Sequence, residues 1–273
     1  NPNVKVEVIH IPQDYFKKLH LLFASNLAPD VVFINNLNLP VYVKYLEKLS
    51  GRFDTDNYYP QPLKALSCKD DLYAIPRDIS IMVIYYNKDI FNRFGVSYPT
   101  SSWNLNDLLN KSLKLTSDGI WGISYEQNIN YLIPYMKSFD GGILDENGNY
   151  TGENELSKKG IDFYNNLAYK YHCAPTLAQT GSKTQAQMFL EGKLAMHLSG
   201  RWMVPKYREC ALFDWDVVCF PNCKAPCDAS GWAITRSSQH KDYALKFILF
   251  LSQKRNIEKM TVDGLIVPAR RDV

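Results

Sequence analysis

The residue types that carry out catalysis are present in this chain, but without the spacing that the common mechanisms need. No Gly-x-Ser-x-Gly, phosphate-binding loop or Gly-x-Gly-x-x-Gly motif occurs, and the five histidines show neither HxH nor HExxH spacing. The adjacent Asp70 and Asp71 are expected to be solvated in a turn rather than to form an acid/base pair. The sequence therefore predicts no catalytic residue and no cofactor. The histidines are His10, His20, His172, His197 and His240.

The feature that most resembles a metal site is a run of three evenly spaced cysteines. Cys219, Cys223 and Cys227 form C-x3-C-x3-C, interrupted by prolines. Structural zinc sites combine such a pair with a second pair or with histidines, and no such set follows here. The spacing favours a local disulfide between two of the three cysteines, and no metal ligand is predicted.

Composition excludes several classes of protein. The 273 residues are 46% hydrophobic, which is too apolar for a disordered chain, and the longest apolar runs are too short to cross a bilayer. The 31 basic and 28 acidic residues are scattered, so no nucleic-acid partner is expected. Of the 36 aromatic residues, half are tyrosines, which suit either a core edge or a ligand cleft.

Predicted strands and helices alternate along the chain. Strands are expected over 4–9, 31–34, 79–86, 120–125, 194–198, 215–219 and 232–235, with helices between them, which predicts an α/β fold with mainly parallel pairing. Asp14 and Ser102 are predicted to cap helices, Asn87 is available as a further cap, and Gly95 is predicted to end a helix. At about 150 residues per domain, the length allows just under two domains.

Nine segments together resemble, in order and spacing, the sugar-binding group of extracellular solute-binding proteins of ABC importers, the maltose-binding-protein-like family 1. Each segment is a weak signal alone, but their order makes the set specific. The segments are 28–32 (APDVV), 72–76 (LYAIP), 85–91 (YYNKDIF), 99–103 (PTSSW), 140–142 (DGG), 189–196 (FLEGKLAM), 200–202 (GRW), 231–234 (GWAI) and 267–273 (VPARRDV).

This resemblance implies an α/β, two-lobe, type II periplasmic-binding-protein-like fold with a hinge of crossing strands. The N-terminal lobe is expected over 1–80 plus 235–268 and the C-terminal lobe over 81–230, with the hinge near 79–82 and 229–234. Compared with the family pattern, the sequence is expected to lack the N-terminal strand and the C-terminal helices.

The implied function is non-catalytic binding of a sugar or oligosaccharide in the interlobe cleft and its delivery to the transmembrane subunits of an ABC permease. The resemblance also implies a monomer at the periplasmic or extracellular face of the cytoplasmic membrane, tethered by a lipid. Three alternatives remain open: a binder of glycerol-3-phosphate, a glycerophosphodiester or another anionic solute; a glycan-acting hydrolase; and a sensor ectodomain.

A sugar site needs aromatic rings for the C–H faces of the sugar and polar side chains for its hydroxyls. By resemblance, Trp202 is the sugar-stacking tryptophan, and this is favoured over a core position. Arg201 is either a ligand contact or a surface residue. Tyr131 falls near a stacking tyrosine of the family, at a helix start whose polar residues include Asn128 and Asn130.

The other candidates lie near the expected crossings. Arg77 and Asp78 either form a salt bridge or clamp a polar ligand, and the alternatives for Trp232 are hinge packing and a ligand contact. Tyr85 and its neighbour Tyr86 alternate in direction, so at most one faces the cleft. The polar residues after the strand over 31–34 form either an Asx-rich turn or cleft donors. These residues are Asn35, Asn36 and Asn38.

Overall fold

The computed structural model describes residues 4–11, 14–117, 119–144, 149–225 and 227–273, which form two compact units. Unit 1 comprises Asn1–Ser80 and Asp228–Val273, and unit 2 comprises Ile81–Cys227. In chain order, the elements are α1 (Tyr15–Ala24), β1 (Val31–Asn35), α2 (Leu39–Tyr42), α3 (Pro60–Ala65), β2 (Ser67–Cys68), β3 (Asp71–Leu72), β4 (Ile75–Asn87), α4 (Lys88–Arg93), α5 (Leu105–Lys114), α6 (Ile129–Ser138), α7 (Glu155–Tyr169), α8 (Leu177–Thr180), α9 (Gln185–Leu190), β5 (Met196–Gly200), α10 (Val204–Cys210), β6 (Trp215–Cys219), β7 (Cys227–Ile234), α11 (Lys241–Leu251), α12 (Lys254–Val262) and β8 (Val267–Pro268). Single turns of 3-10 helix lie at Val43–Tyr45, Arg201–Met203 and Pro221–Cys223.

Unit 1 is built around β1, β7 and the first half of β4. β7 lies between β1 and β4, and its pairing with β1 is antiparallel, with Phe33 opposite Trp232. β8 pairs antiparallel with β4 at Asp78 and Ile79. Apolar side chains of α1, α2 and β1 form one core cluster, and α11 packs on a second one around Ile234.

Unit 2 is built around the second half of β4, which lies between β5 and β6 and is antiparallel to both. Both faces of this strand are covered by aromatic side chains. Tyr85 packs against Tyr207 and Trp215 on one face, and Tyr86 packs against Phe91 and Tyr98 on the other. A strand buried on both faces explains the almost continuous apolar run at this point of the sequence.

The α/β class is confirmed, but the expected parallel pairing is wrong for β1 and for β4 with β5, β6 and β8. The strands expected over 4–9 and 120–125 do not form. Residues 4–9 are exposed, with Val8 83% accessible, and residues 120–125 form only isolated bridges, one of them parallel, from Trp121 to Leu194. Alternating hydrophobicity without a partner strand is not enough to make a ladder.

The expected helix ends are partly right. Asn87 caps α4 by accepting a hydrogen bond from the Ile90 N–H at 3.0 Å, and Gly95 follows that helix with a left-handed φ of 63°. Asp14 is instead left-handed and makes no side-chain cap, and α5 begins after Asn104 rather than Ser102. Asn104 is the N-cap rather than Ser102 because it forms a reciprocal capping box with Asp107.

Candidate functional site

In unit 2, the chain leaves β5 at Gly200 and presents Trp202 at the surface. The indole lies directly over Gly200, so that a Cβ at this position would overlap the ring. Although it packs on the backbone in this way, Trp202 is 48% exposed. A large aromatic ring that is held against the backbone and is half-exposed suits a stacking contact with a ligand.

Tyr131, on the first turn of α6, belongs to the same region of unit 2. Ser199, the residue before Gly200, and the carboxylate of Glu126 both lie close enough to the Tyr131 hydroxyl to influence its pKa. Burial, with the added repulsion of Glu126, raises the pKa of Tyr131 to about 12, so the hydroxyl remains protonated at neutral pH. Burial also raises the pKa of Glu126.

Arg201 lies between Ser199 and Trp202 and has unused hydrogen-bonding capacity. Its Nη1 is buried and has no hydrogen-bond partner. The guanidinium is close enough to Tyr85 to offset part of the rise in the pKa of Tyr85 that burial causes. A buried N–H of a charged group that has no hydrogen-bond acceptor lowers the stability of the fold. A ligand atom that accepts a hydrogen bond from it removes this penalty.

Tyr85 itself is fully buried, and its hydroxyl donates to the Gly200 carbonyl oxygen at 2.8 Å. Tyr86 is also buried. Neither ring is presented at the surface of unit 2, because both faces of β4 are covered, which agrees with the expectation that at most one of the two faces the cleft. Tyr85 supports the strand end that positions Arg201 and Trp202.

In unit 1, Arg77 and Asp78 bond to each other. The Arg77 Nε–H donates to Asp78 Oδ2 at 2.6 Å, and the second carboxylate oxygen accepts from the Ser230 hydroxyl. The Arg77 guanidinium also lies over the rings of Phe33 and Trp232, with 4.8 and 5.9 Å to the ring centroids. The salt bridge is therefore formed, and Trp232 is half-buried beneath it.

The three asparagines after β1 are also engaged within unit 1. Asn35 Oδ1 accepts from the backbone and side-chain nitrogens of Asn38 at 3.0 and 2.8 Å, which is an Asx-type turn. Asn36 Oδ1 accepts from the Ala229 N–H at 3.1 Å, so it ties the end of β1 to β7. At α6 in unit 2, Asn128 likewise caps the helix by accepting from the Asn130 N–H at 3.0 Å.

The structure thus places Arg201 and Trp202 just after β5 in unit 2, with Tyr131 near the preceding Ser199. In unit 1 it groups Asn35, Asn36, Asn38, Arg77, Asp78 and Trp232. Sequence reasoning missed Glu126 and Ser199, which contact or face Tyr131. Ser199 could have been found from its position one residue before Gly200. Glu126 carries no local signal in the sequence, because its effect on Tyr131 depends on the three-dimensional placement of the two side chains.

Across the described ranges, no group of three or more His, Cys, Asp or Glu side chains is arranged to hold a metal ion. Within those same residues, no helix has both the length and the apolar character needed to cross a bilayer.

Comparison with known proteins extends these observations. Residues 1–273 match the model of the family described as bacterial extracellular solute-binding protein. The maltodextrin-binding protein MdxE of Bacillus subtilis is 24% identical over 79% of this chain and 54% of its own length. The galactooligosaccharide-binding protein of the same organism is 22% identical over 98% of this chain and 66% of its own length. The chain therefore spans about half to two thirds of the length of these curated relatives.

Several solved structures share the fold of this chain. The ABC substrate-binding protein Lmo0181 of Listeria monocytogenes, in complex with cycloalternan, matches with a TM-score of 0.90 at 27% identity, over 98% of this chain and 73% of its own. The GacH receptor of Streptomyces glaucescens matches with a TM-score of 0.87 at 22% identity, over 100% of this chain and 74% of its own. The fold is therefore that of the two-lobe sugar-binding proteins, and the chain belongs to the bacterial extracellular solute-binding protein family.

Proposed function

We propose that this chain binds a neutral sugar or oligosaccharide, does not alter it, and delivers it to the transmembrane subunits of an ABC importer. Membership in a family of solute-binding proteins supports the binding role. The relatives in Bacillus subtilis are named for maltodextrin and galactooligosaccharide, and the Listeria protein was solved in complex with cycloalternan. These names point to oligosaccharides as the class of ligand to test first.

The observation that carries the proposal is the arrangement at the end of β5. Trp202 is half-exposed, and Arg201 beside it has a buried Nη1 without a partner. Tyr131 adds a second aromatic ring with a protonated hydroxyl. An apolar plate next to unsatisfied donors matches a sugar, whose rings have apolar C–H faces and a rim of hydroxyl acceptors.

The remaining parts of the proposal follow the family. The protein acts outside the cytoplasmic membrane, is held there by a lipid anchor, and works as a monomer. We expect the hinge near residues 79–82 and 229–234. β4 carries the chain out of unit 1 after Ser80, and the chain returns to unit 1 between Cys227 and Asp228, at the start of β7. Preferential affinity of the sugar for one hinge state shifts the population toward that state.

Isothermal titration calorimetry with maltotriose, a galactooligosaccharide mixture and cycloalternan tests the proposal. Saturable heat with at least one of these sugars, together with a change in tryptophan fluorescence, is the expected result. The recovered sugar is then compared by mass spectrometry with the sugar supplied. The absence of binding to all three, or conversion of the sugar by the protein, overturns the proposal.

Arg201 also favours a second candidate, an anionic solute such as a glycerophosphodiester. A buried guanidinium nitrogen without a partner is suited to a phosphate oxygen. Titration with glycerophosphocholine under the same conditions separates the candidates. Saturable heat with glycerophosphocholine and none with the three sugars would replace the sugar proposal with this one.

A further inference from the structure

The turn that follows β6 in unit 2 holds two thiols close together. β6 ends at Cys219, and a single 3-10 turn at Pro221–Cys223 follows it. Phe220 and Pro221 are buried, and the Phe220 ring meets Tyr135 edge-on with 4.9 Å between centroids. The turn is thus part of the core of unit 2, while its last residue, Cys223, is exposed.

The turn is fixed to the segment before α5. The Trp103 indole N–H donates to the Cys219 carbonyl oxygen at 2.8 Å, and the Asn222 N–H donates to the Trp103 carbonyl oxygen at 3.1 Å. Asn222 and Cys223 both have positive φ, at 56° and 53°. Asparagine tolerates this left-handed conformation, but it is uncommon for cysteine, so an additional constraint is expected to hold Cys223 there.

The side-chain geometry indicates what that constraint is. The Sγ atoms of Cys219 and Cys223 are 2.9 Å apart, and a bonded pair is separated by about 2.0 Å. Closing the remaining gap takes less than an ångström, which rotations of the two side chains can supply. Since Cys219 is half-buried and Cys223 exposed, an oxidant can reach the pair. No metal site competes for these thiols among the described residues.

We propose that Cys219 and Cys223 are a redox-active pair that forms a disulfide. One thiolate attacks an external disulfide, RSSR. A mixed disulfide forms between the protein sulfur and one RS group, while the S–S bond of the reagent breaks and RS⁻ leaves. The second thiolate then attacks the protein sulfur of that mixed disulfide and releases the other RS⁻. The net change oxidises two cysteines to one cystine and reduces RSSR to two RSH, with the two protein protons transferred to the thiols released.

The bond closes a short ring over residues 219–223 and holds Cys223 in its left-handed conformation. β7 begins four residues after Cys223, at Cys227, so the bond lies shortly before the strand in which the chain returns to unit 1. From the proposed function, this inference takes only the extracellular location, where disulfides persist. It does not depend on which solute the protein binds.

Peptide mapping tests the pairing. The protein is equilibrated with glutathione disulfide, denatured, treated with iodoacetamide and digested with trypsin. Cleavage after Arg208, Lys224 and Arg236 places Cys210, Cys219 and Cys223 in the peptide 209–224 and Cys227 in the peptide 225–236. The expected peptide 209–224 carries a single alkyl group, on Cys210. Its mass is lower by two hydrogens than that of the same singly alkylated peptide with two free thiols. Prior reduction with dithiothreitol should give the same peptide with all three cysteines alkylated.

Two outcomes overturn the proposal. A fully alkylated peptide 209–224 after oxidation means that the pair does not form. A cross-linked species that joins peptides 209–224 and 225–236 means that Cys227 is a partner instead. The variants Cys210→Ser and Cys227→Ser should leave the internal bond intact, whereas Cys223→Ser should abolish it and leave Cys219 alkylated. Because the mapping uses added glutathione disulfide, its failure is distinguishable from failure to bind sugar.

Discussion

The candidate residues of the two units differ in what their polar groups already do. In unit 1, Asp78 accepts from Arg77 and Ser230, and Asn35 accepts from Asn38. In unit 2, Arg201 keeps a buried nitrogen without a partner, and Trp202 remains half-exposed. Polar groups that bond to each other stabilise the fold, whereas unsatisfied groups have capacity for a ligand.

The difference assigns distinct roles to residues that look alike in the sequence. Arg77 and Arg201 are both next to a residue that is a plausible ligand contact, yet Arg77 bonds to that neighbour and Arg201 does not. We therefore expect substitutions in the unit 1 group to lower stability first, and substitutions in the unit 2 group to lower ligand affinity first. Pairs of measurements on the same variants, affinity and unfolding, test this division.

The largest expected effect on affinity is that of Trp202→Ala. Removal of the exposed stacking ring should weaken sugar binding about 30-fold, or about 2 kcal/mol, as for a central aromatic contact. Stability should change little because half of the ring is already accessible. Calorimetric titration with the best-binding sugar and urea unfolding measure the two quantities.

A matched control for Trp202→Ala is Leu212→Ala, since Leu212 is an exposed apolar residue of the same unit. This control should alter neither affinity nor stability. Equal affinity in Trp202→Ala and the unsubstituted protein would remove Trp202 from the site. Gly200→Ala offers an independent check, because the added methyl group displaces the indole from its seat on the backbone and should lower affinity while Trp202 is still present.

Asp78→Ala tests the expectation that substitutions in the unit 1 group lower stability rather than affinity. Loss of the carboxylate leaves the Arg77 guanidinium and the Ser230 hydroxyl without their acceptor and should lower the free energy of unfolding by about 2 kcal/mol. Relief of repulsion with Asp228 offsets a small part of that loss. Sugar affinity, measured under conditions where the variant is folded, should remain within about twofold.

The control for Asp78→Ala is an ion pair of similar length on the surface. Glu191 Oε2 lies 2.6 Å from Lys183 Nζ, and both side chains are about half exposed. Glu191→Ala should therefore lower the free energy of unfolding by less than about 1 kcal/mol. A large loss of affinity in Asp78→Ala without a loss of stability would show that the unit 1 group contacts the ligand, and the division between units would then be wrong.

Arg201→Gln sharpens the comparison within unit 2. A glutamine keeps a donor but removes the charge and shortens the side chain, so affinity for the sugar should fall about tenfold. Stability should stay the same or rise, because a buried guanidinium nitrogen without a partner is lost. Arg208→Gln, on the exposed part of α10, is the control. Destabilisation with unchanged affinity would instead make Arg201 a structural residue.

Local signals in the sequence predicted the local structure well. Asn87 caps α4 and Gly95 follows it as expected, because a cap depends on a few adjacent residues. Asp14 failed as a cap since its backbone is left-handed, which its residue type does not determine. The aromatic and small residues at Gly200 and Trp202 were found because their spacing is specific to the family.

The parts that could not be predicted depend on distant partners. The alternation of Tyr85 and Tyr86 correctly places them on opposite faces of β4, but it cannot show that α10 and the segment after α4 cover both faces. Parallel pairing was inferred from alternating elements, yet the partners of β4 come from residues more than 100 positions later in the chain. The same reasoning explains why Glu126 was missed beside Tyr131.

Near neutral pH, the smallest expected effect is that of titration, which contrasts two buried titratable groups. Burial lowers the pKa of His197 in unit 2 to about 3, below its usual value of 6.5, whereas burial raises the pKa of Asp228 in unit 1 from 3.8 to about 6. Below pH 6.5, His197 binds a proton in the unfolded chain, but in the folded chain it stays neutral down to about pH 3. The free energy of unfolding therefore decreases as pH falls from 6.5. Asp228 acts in the opposite direction, since its contribution is lost as pH rises from 3.8 to 6.

His197→Gln separates these two trends. The difference in unfolding free energy between the unsubstituted protein and this variant should change with pH by at most about 1.4 kcal/mol per unit below pH 6.5 and be constant above pH 7. Urea unfolding at a series of pH values measures it, with His240→Gln, on an exposed residue, as the control. Because Asp228 is present in all three proteins, its opposite contribution cancels in each difference. A difference that does not vary between pH 4 and 7 would mean that His197 is accessible to protons in the folded state, and that unit 2 is more open around β5 than the structure indicates.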